Sequence, residues 1–454
     1  MSDPKCKRYQ SVRKVSLAAA VLAAALLSAC GSNEKAPDKP AAAPPVEKPR
    51  DPVEITILSL VSSITMEEFQ RTMEEPLKKL QPHIKLNYII QGKEMNLTNM
   101  LAAGTPPDIV ITSITGFYAN VAPPKLEYDL NDLVKKHGYD LGRIEASTIE
   151  SLRNSSTGGA LYGLPKYMNT VGMFYNKDIF DKFGVPYPKD GMAWDDVIKL
   201  AQQMTRSADG IQYRGLGLFS SNMIVENQLS LPFIDPKSDK PTVYTEGFQK
   251  LFQMYKSVYD IVGNKPEQAF NGDRELNDFY QKRNIAMVMS PISGYGRFEK
   301  ETDFNWDLVA APTFSDLPGV GFQPNTIYYF VSNANKKAED AFLAVTGFLS
   351  DEVQRISSLE GRATVLVNPE IRATLGQGKE HLKNKNFQAL FYNKFATSPP
   401  LNTKLAPYVN ASSIVNAEFG NMINNGTDVN TMLRTAEERI NQEIAKALET
   451  INKN

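Results

Sequence analysis

An α/β fold is what this 454-residue sequence predicts, and three observations carry it. Short β-like runs, Val53–Leu58, Ile84–Ile90 and Asp108–Thr112, are separated by segments whose apolar residues recur at helical spacing. The same alternation resumes from Gly172 to Leu349. Strands that alternate with helices imply a parallel sheet covered by helices. The length suggests two or three domains, and the absence of a 20- to 50-residue repeat argues against a solenoid.

In chain order, Val53–Leu58 alternates as a strand, and Met66, Phe69, Met73, Leu77 and Leu80 mark the apolar face of a helix. Pro76 inside that pattern predicts a kink or a split, because proline has no N–H to donate. Ile84–Ile90 is a second strand, Met95–Ala103 a short helix, and Gly104-Thr105-Pro106-Pro107 a break before the strand at Asp108–Thr112. Gly172–Asn176 reads as a strand, Lys177–Phe183 as a helix, and Gly184-Val185-Pro186 as its stop. Trp194 opens a helix whose early acids, Asp195 and Asp196, suit the positive end of the helix dipole. Strands are predicted at Gly215–Leu218, Ile285–Met289 and Thr326–Val331, and helices at Phe248–Val262 and Lys337–Leu349. From about Lys379 onward the chain is expected to be helical, ending on Met432, Ala436, Ile440, Ile444 and Leu448.

Charge is balanced, with 50 Lys and Arg against 51 Asp and Glu, which argues against nucleic acid as a partner. The chain begins with a basic stretch, Lys5, Lys7, Arg8, Arg13 and Lys14, followed by Val15–Leu27. That run is too short to span a hydrocarbon layer of about 30 Å, so it reads as an export signal over residues 1–29. The sequence has two cysteines, Cys6 within the signal and Cys30 directly after it. A body without thiols excludes disulfides, zinc–thiolate sites and cysteine nucleophiles. His83, His137 and His381 are far apart in sequence, and no metal site and no cofactor is predicted. Residues 30–51 are rich in Pro, Ala and charge and read as a semi-extended tether.

Leu27-Ser28-Ala29-Cys30-Gly31 resembles the bacterial lipobox, which implies a lipid on Cys30 and a protein held on the extracellular face of the cell membrane. Four further stretches, Leu161-Tyr162-Gly163-Leu164-Pro165, Met173-Phe174-Tyr175-Asn176-Lys177-Asp178, Phe183-Gly184-Val185-Pro186 and Trp194-Asp195-Asp196, resemble the signature of family 1 extracellular solute-binding proteins. Ala103–Val110, Asn284–Met289, Phe342–Gln354 and Gly361-Arg362-Ala363 agree with it. The resemblance implies a periplasmic-binding-protein-like type II fold, with two α/β lobes closing by a hinge on a sugar or oligosaccharide for an ABC permease. It places residues 52–167 and 312–365 in the first lobe and 168–311 and 366–454 in the second, with crossings near Lys166–Asn169 and Ala311–Thr313. A monomer without enzymatic activity is expected.

Sugar recognition takes aromatic faces for the ring and amides, hydroxyls or carboxylates for its hydroxyls. On the family's pattern the first lobe offers Ser62, Ser63, Thr112, Ser113, Thr115 and Tyr118. Tyr167 and Asn169 stand at the crossing, where the maltose-binding relatives carry an acid in place of Asn169. The second lobe offers Glu226, Asn227, Ser293 and Tyr295, with Arg362 and Tyr408 as weaker candidates. Tyr175, Asn176, Phe180, Trp194 and Phe348 read as packing and capping groups. Two other functions stay open, a ligand sensor for a membrane histidine kinase and an exported polysaccharide hydrolase with paired acids. Against the hydrolase, Ser293 follows Pro291 where a nucleophile elbow needs glycine, and the phosphate-loop and His-Glu-x-x-His patterns are absent.

Overall fold

Two sheets of five strands organise the computed structural model, which describes residues 50–61, 65–299, 301 and 303–453. The export signal, Cys30, most of the tether, Ser62 and Ser63 lie outside the described residues. In the first sheet β1 (Val53–Ser59) lies between β2 (Ile84–Ile90) and β3 (Ile109–Thr112), parallel to both. β4 (Gly163–Met168) forms the far edge of this sheet. The second sheet contains β5 (Val171–Asn176), β6 (Arg206–Ala208), β7 (Ile211–Leu218), β8 (Ile285–Pro291) and β9 (Trp306–Ala310). β10 (Thr326–Val331) returns to the first sheet between β3 and β4, giving the order β2-β1-β3-β10-β4.

The predicted parallel arrangement is corrected to a mixed one. β10 is antiparallel to β3 and β4, and β5 is antiparallel to β8 and β9, whereas β7 and β8 are parallel. The cause is the connection. The chain leaves the first sheet from β4 into β5 and returns from β9 into β10 with no helix in either link, so the returning strands run against the outgoing ones, β10 against β4 and β9 against β5. Every residue of β8 and β10 is buried, which is why both read as unbroken apolar runs.

Pro76 acts as its sequence position suggests. The helix begins as Met66–Phe69, widens to a π-turn at Gln70–Glu74 and resumes at Glu75–Leu80 with Pro76 in its first turn. An N–H that proline lacks costs least there. Asn176 caps the helix Lys177–Phe183 by accepting from the N–H groups of Asp178 and Ile179, and Gly184 ends it at a φ of 64°. The helix Trp194–Met204 lies so close on β7 that a Cβ on Gly215 would collide with the Ala201 carbonyl oxygen. The continuous helix expected from Lys379 is corrected. Turns and the short Phe387–Phe391 segment fill the region until helices Ala411–Asn425 and Val429–Lys453. Pro399, Pro400 and Pro407 explain the delay, since each removes a helix donor. Among the described residues no helix is long and apolar enough to cross a membrane.

Candidate ligand-binding cleft

A cavity of about 260 Å³ opens where the segments that follow the strands of both sheets converge. Ser113, Thr115 and Tyr118 reach it from the turn after β3, and Tyr328 reaches it from β10. Val225, Glu226 and Leu231–Ile234 come from the chain after β7, and Gln323–Thr326 from the segment leading into β10. Further wall comes from Ser151 and Ser155, from the proline-containing loop Ser398–Asn402, and from Ala406 and Val409–Ser412. Such loops beyond strand ends are where open α/β sheets hold ligands.

Local chemistry sets each wall residue. Ser113 accepts from the Gly116 N–H at 3.1 Å, which starts the one-turn helix Ile114–Gly116; Thr115 on it is exposed and Tyr118 on the π-turn that follows is buried, and both belong to the cavity wall. The Tyr118 hydroxyl donates to the Ser155 carbonyl, and burial raises its phenol above the ordinary value. Its position is therefore fixed before any ligand arrives. Glu226 is 7 % exposed and ends the helix Ser220–Val225. Its Oε1 accepts from Asn325 Nδ2 at 2.8 Å, while its Oε2 is buried without a hydrogen-bond partner. Burial pushes this carboxyl up to about 8.

The other sequence-predicted residues sit elsewhere. Thr112 ends β3, buried opposite Tyr328. Asn227 is fully buried, accepting from the Leu231 N–H at 2.9 Å while its carbonyl accepts from Gln323 Nε2 at 2.8 Å. Asn169 Oδ1 accepts from the Ser293 N–H at 3.0 Å, and its own N–H donates to the Asn325 carbonyl at 2.7 Å. Tyr295 donates to the Gly361 carbonyl at 2.9 Å and packs edge-on against Phe387. Arg362 pairs with Glu68, its Nη2 at 2.6 Å from Oε1, and lies 5.7 Å from the centre of the Tyr167 ring. Tyr408 is largely exposed, one residue before Val409 in the cavity wall.

The structure thus brings Ser113, Thr115, Tyr118 and Glu226 together and gathers Tyr167, Asn169, Ser293, Tyr295 and Arg362 around the crossings. β10 explains the separation. Tyr328 faces the cavity, whereas Tyr329, the next residue, faces a much smaller pocket with Lys166, Arg362 and Glu68 on the opposite side of the sheet. Sequence reasoning missed Asn325, Gln323, Phe233 and the Ser398–Asn402 loop. Pro324 before β10 and the Pro399-Pro400 pair were the available signals, since they mark loops, but they do not reveal which way a loop faces. Among the described residues no cluster of His, Cys, Asp and Glu has the geometry to hold a metal ion.

The comparisons agree with this architecture. The chain is 28% identical over 268 residues to an arabinooligosaccharide-binding protein of Bacillus subtilis (strain 168), a match covering 56% of this chain and 58% of that relative. An ABC substrate-binding protein from Listeria monocytogenes, solved in complex with cycloalternan, superposes with a TM-score of 0.66 at 19% identity. That superposition covers 87% of this chain and 100% of the other. The sugar-binding protein MalE from Xanthomonas citri gives a TM-score of 0.68 at 14% identity, covering 88% of this chain and 100% of the other. At such identities the solved structures speak for the fold. Residues 63–355 match the family described as bacterial extracellular solute-binding protein, and with well over half of its length matched the chain belongs to that family.

Proposed function

We propose that this protein captures a sugar or oligosaccharide between two lobes, 52–167 with 312–365 and 168–311 with 366–454, and delivers it unaltered to an ABC permease. The observation that carries the reading is the cavity wall. Ser113, Thr115 and Tyr118 follow a strand of one sheet, and Glu226 and Phe233 follow a strand of the other, so one ligand touches both. A ligand that contacts both sides favours the closed form, which is how capture becomes a signal to the permease. The wall mixes apolar and aromatic surface with amides and hydroxyls, the combination a ring with many hydroxyls requires. Similarity to an arabinooligosaccharide-binding protein supports the class of cargo.

A thermal-unfolding screen over arabino-, malto- and related oligosaccharides tests the reading. A true cargo at 100 times its Kd is expected to stabilise the fold by about 2.7 kcal/mol. Stabilisation by a peptide or a metal chelate, with every sugar silent, would refute it. Lipid attachment at Cys30 is proposed to hold the protein at the membrane, and the protein acts as a monomer. Cys30→Ser is then expected to move the protein from the membrane fraction to the soluble one; unchanged membrane association would rule out that anchor.

A further inference from the structure

The cleft has an unusual charge inventory. Among the described residues that line it, Glu226 is the one carboxylate and none is Lys, Arg or His. No cation of the described chain lies within 4.0 Å of Glu226, although most buried acids need one. The Asn325 amide donates to Oε1, the Asn222 amide also favours the charged form, and Oε2 makes no hydrogen bond of normal geometry. Glu226 stands in the cavity wall with Oε1 held by Asn325. What this site lacks is a charged donor, and nothing in its wall provides one.

Resting on the sugar-receptor reading, we propose that the cargo is a sugar bearing a free amine, whose ammonium pairs with the Glu226 carboxylate, and that acidic sugars are rejected. An ammonium brings both the missing positive charge and several donors, and a charge-assisted bond in a site shielded from water is stronger than a neutral one. An acidic sugar would bring its charge into a cavity whose described wall holds no Lys, Arg or His to receive it. Because burial holds the carboxyl largely protonated at neutral pH, pairing with an ammonium expels that proton. Amine recognition therefore carries a signature that recognition of a neutral sugar does not.

The test compares glucosamine, galactosamine and their β-1,4-linked dimers with the matched hydroxyl, N-acetylated and uronic acid sugars by titration calorimetry at pH 7. Running it in two buffers of different ionisation enthalpy measures the protons released. Expected are affinities for the free amines at least about tenfold above their hydroxyl counterparts, net proton release with the amines alone, and no uronic acid binding. Glu226→Gln is expected to abolish both the amine preference and the proton release. The proposal is overturned if neutral or acidic sugars bind as well as the amines, or if amine binding releases no proton from the unsubstituted protein. Binding of neutral sugars alone leaves the receptor reading standing. Binding of no sugar of any kind sinks both.

Discussion

Glu275→Ala is expected to cost about 3–5 kcal/mol of folding stability, because it leaves a buried guanidinium without its counter-charge. Arg214 on β7 and Glu275 in the helix Gly272–Asn277 have side chains only 4 % and 0 % exposed. The Arg214 Nη2 group donates to both oxygens of Glu275, at 2.8 and 2.6 Å, while Nε donates to the Asn264 carbonyl at 2.8 Å. Asp278 is the nearest other acid, 3.7 Å from Nη1, and already pairs with Lys282. Gly217 belongs to the same arrangement, since a Cβ there would meet Glu275 Oε2 at 2.5 Å. Urea unfolding followed by circular dichroism measures the loss. The double substitution Arg214→Met with Glu275→Leu is expected to recover most of it, because an apolar pair needs no counter-charge. A loss below about 1 kcal/mol in the single variant would mean that solvent reaches the pair.

Lys166→Met is expected to act in the opposite direction and to raise stability near pH 6–7 by a few kcal/mol, on the order of 3–4. The Lys166 side chain is buried against Met73, with its ammonium nitrogen 5.4 and 5.6 Å from the Tyr167 and Tyr329 rings. Burial first, and then the nearby Arg362 guanidinium, bring its pKa down to about 7 from the ordinary 10.5. Between about pH 7 and 10.5 the unfolded chain therefore holds a proton that the folded chain has released, and stability rises with pH across that window. Below about pH 7 the destabilisation is present in full, and methionine removes it. Glu226 has the mirror-image effect. Its folded value of about 8 against 4.5 means that the folded chain holds the extra proton between those limits, so stability falls as pH rises through them. Urea unfolding from pH 5 to 10 separates the two. Lys166→Met should flatten the alkaline rise and Glu226→Gln the fall below pH 8; an unchanged alkaline slope in Lys166→Met would assign that rise to another group.

Lys166 also shows where sequence reading stops. It stands in Leu164-Pro165-Lys166-Tyr167-Met168, a run that resembles the crossing of a solute-binding protein, yet nothing in those five letters says that its amine is sealed inside. Burial of a charged side chain is a property of what packs on it, here Met73 and Tyr329 from elements distant in sequence. Tyr295 and Arg362 are similar. The residue types suit a sugar site, but their hydrogen bonds go to Gly361 and Glu68.

The sequence by itself determined the local elements and the family. Period-two runs became β1 and β2, the apolar run Thr326–Val331 became β10, Asn176 capped the helix it precedes, Pro76 disturbed its helix, and the ordered motifs identified a solute-binding protein. These are short-range matters, decided by backbone sterics, donor and acceptor positions and side-chain periodicity within a few residues. Tertiary structure alone decided strand direction, the facing of Tyr328 and Tyr329 to opposite sides of one sheet, and the meeting of Glu226 with Asn325 and the Ser398–Asn402 loop. The physical reason is that a binding cavity is made by loops far apart in sequence, and their closeness depends on how the sheets pack rather than on the residues within each loop.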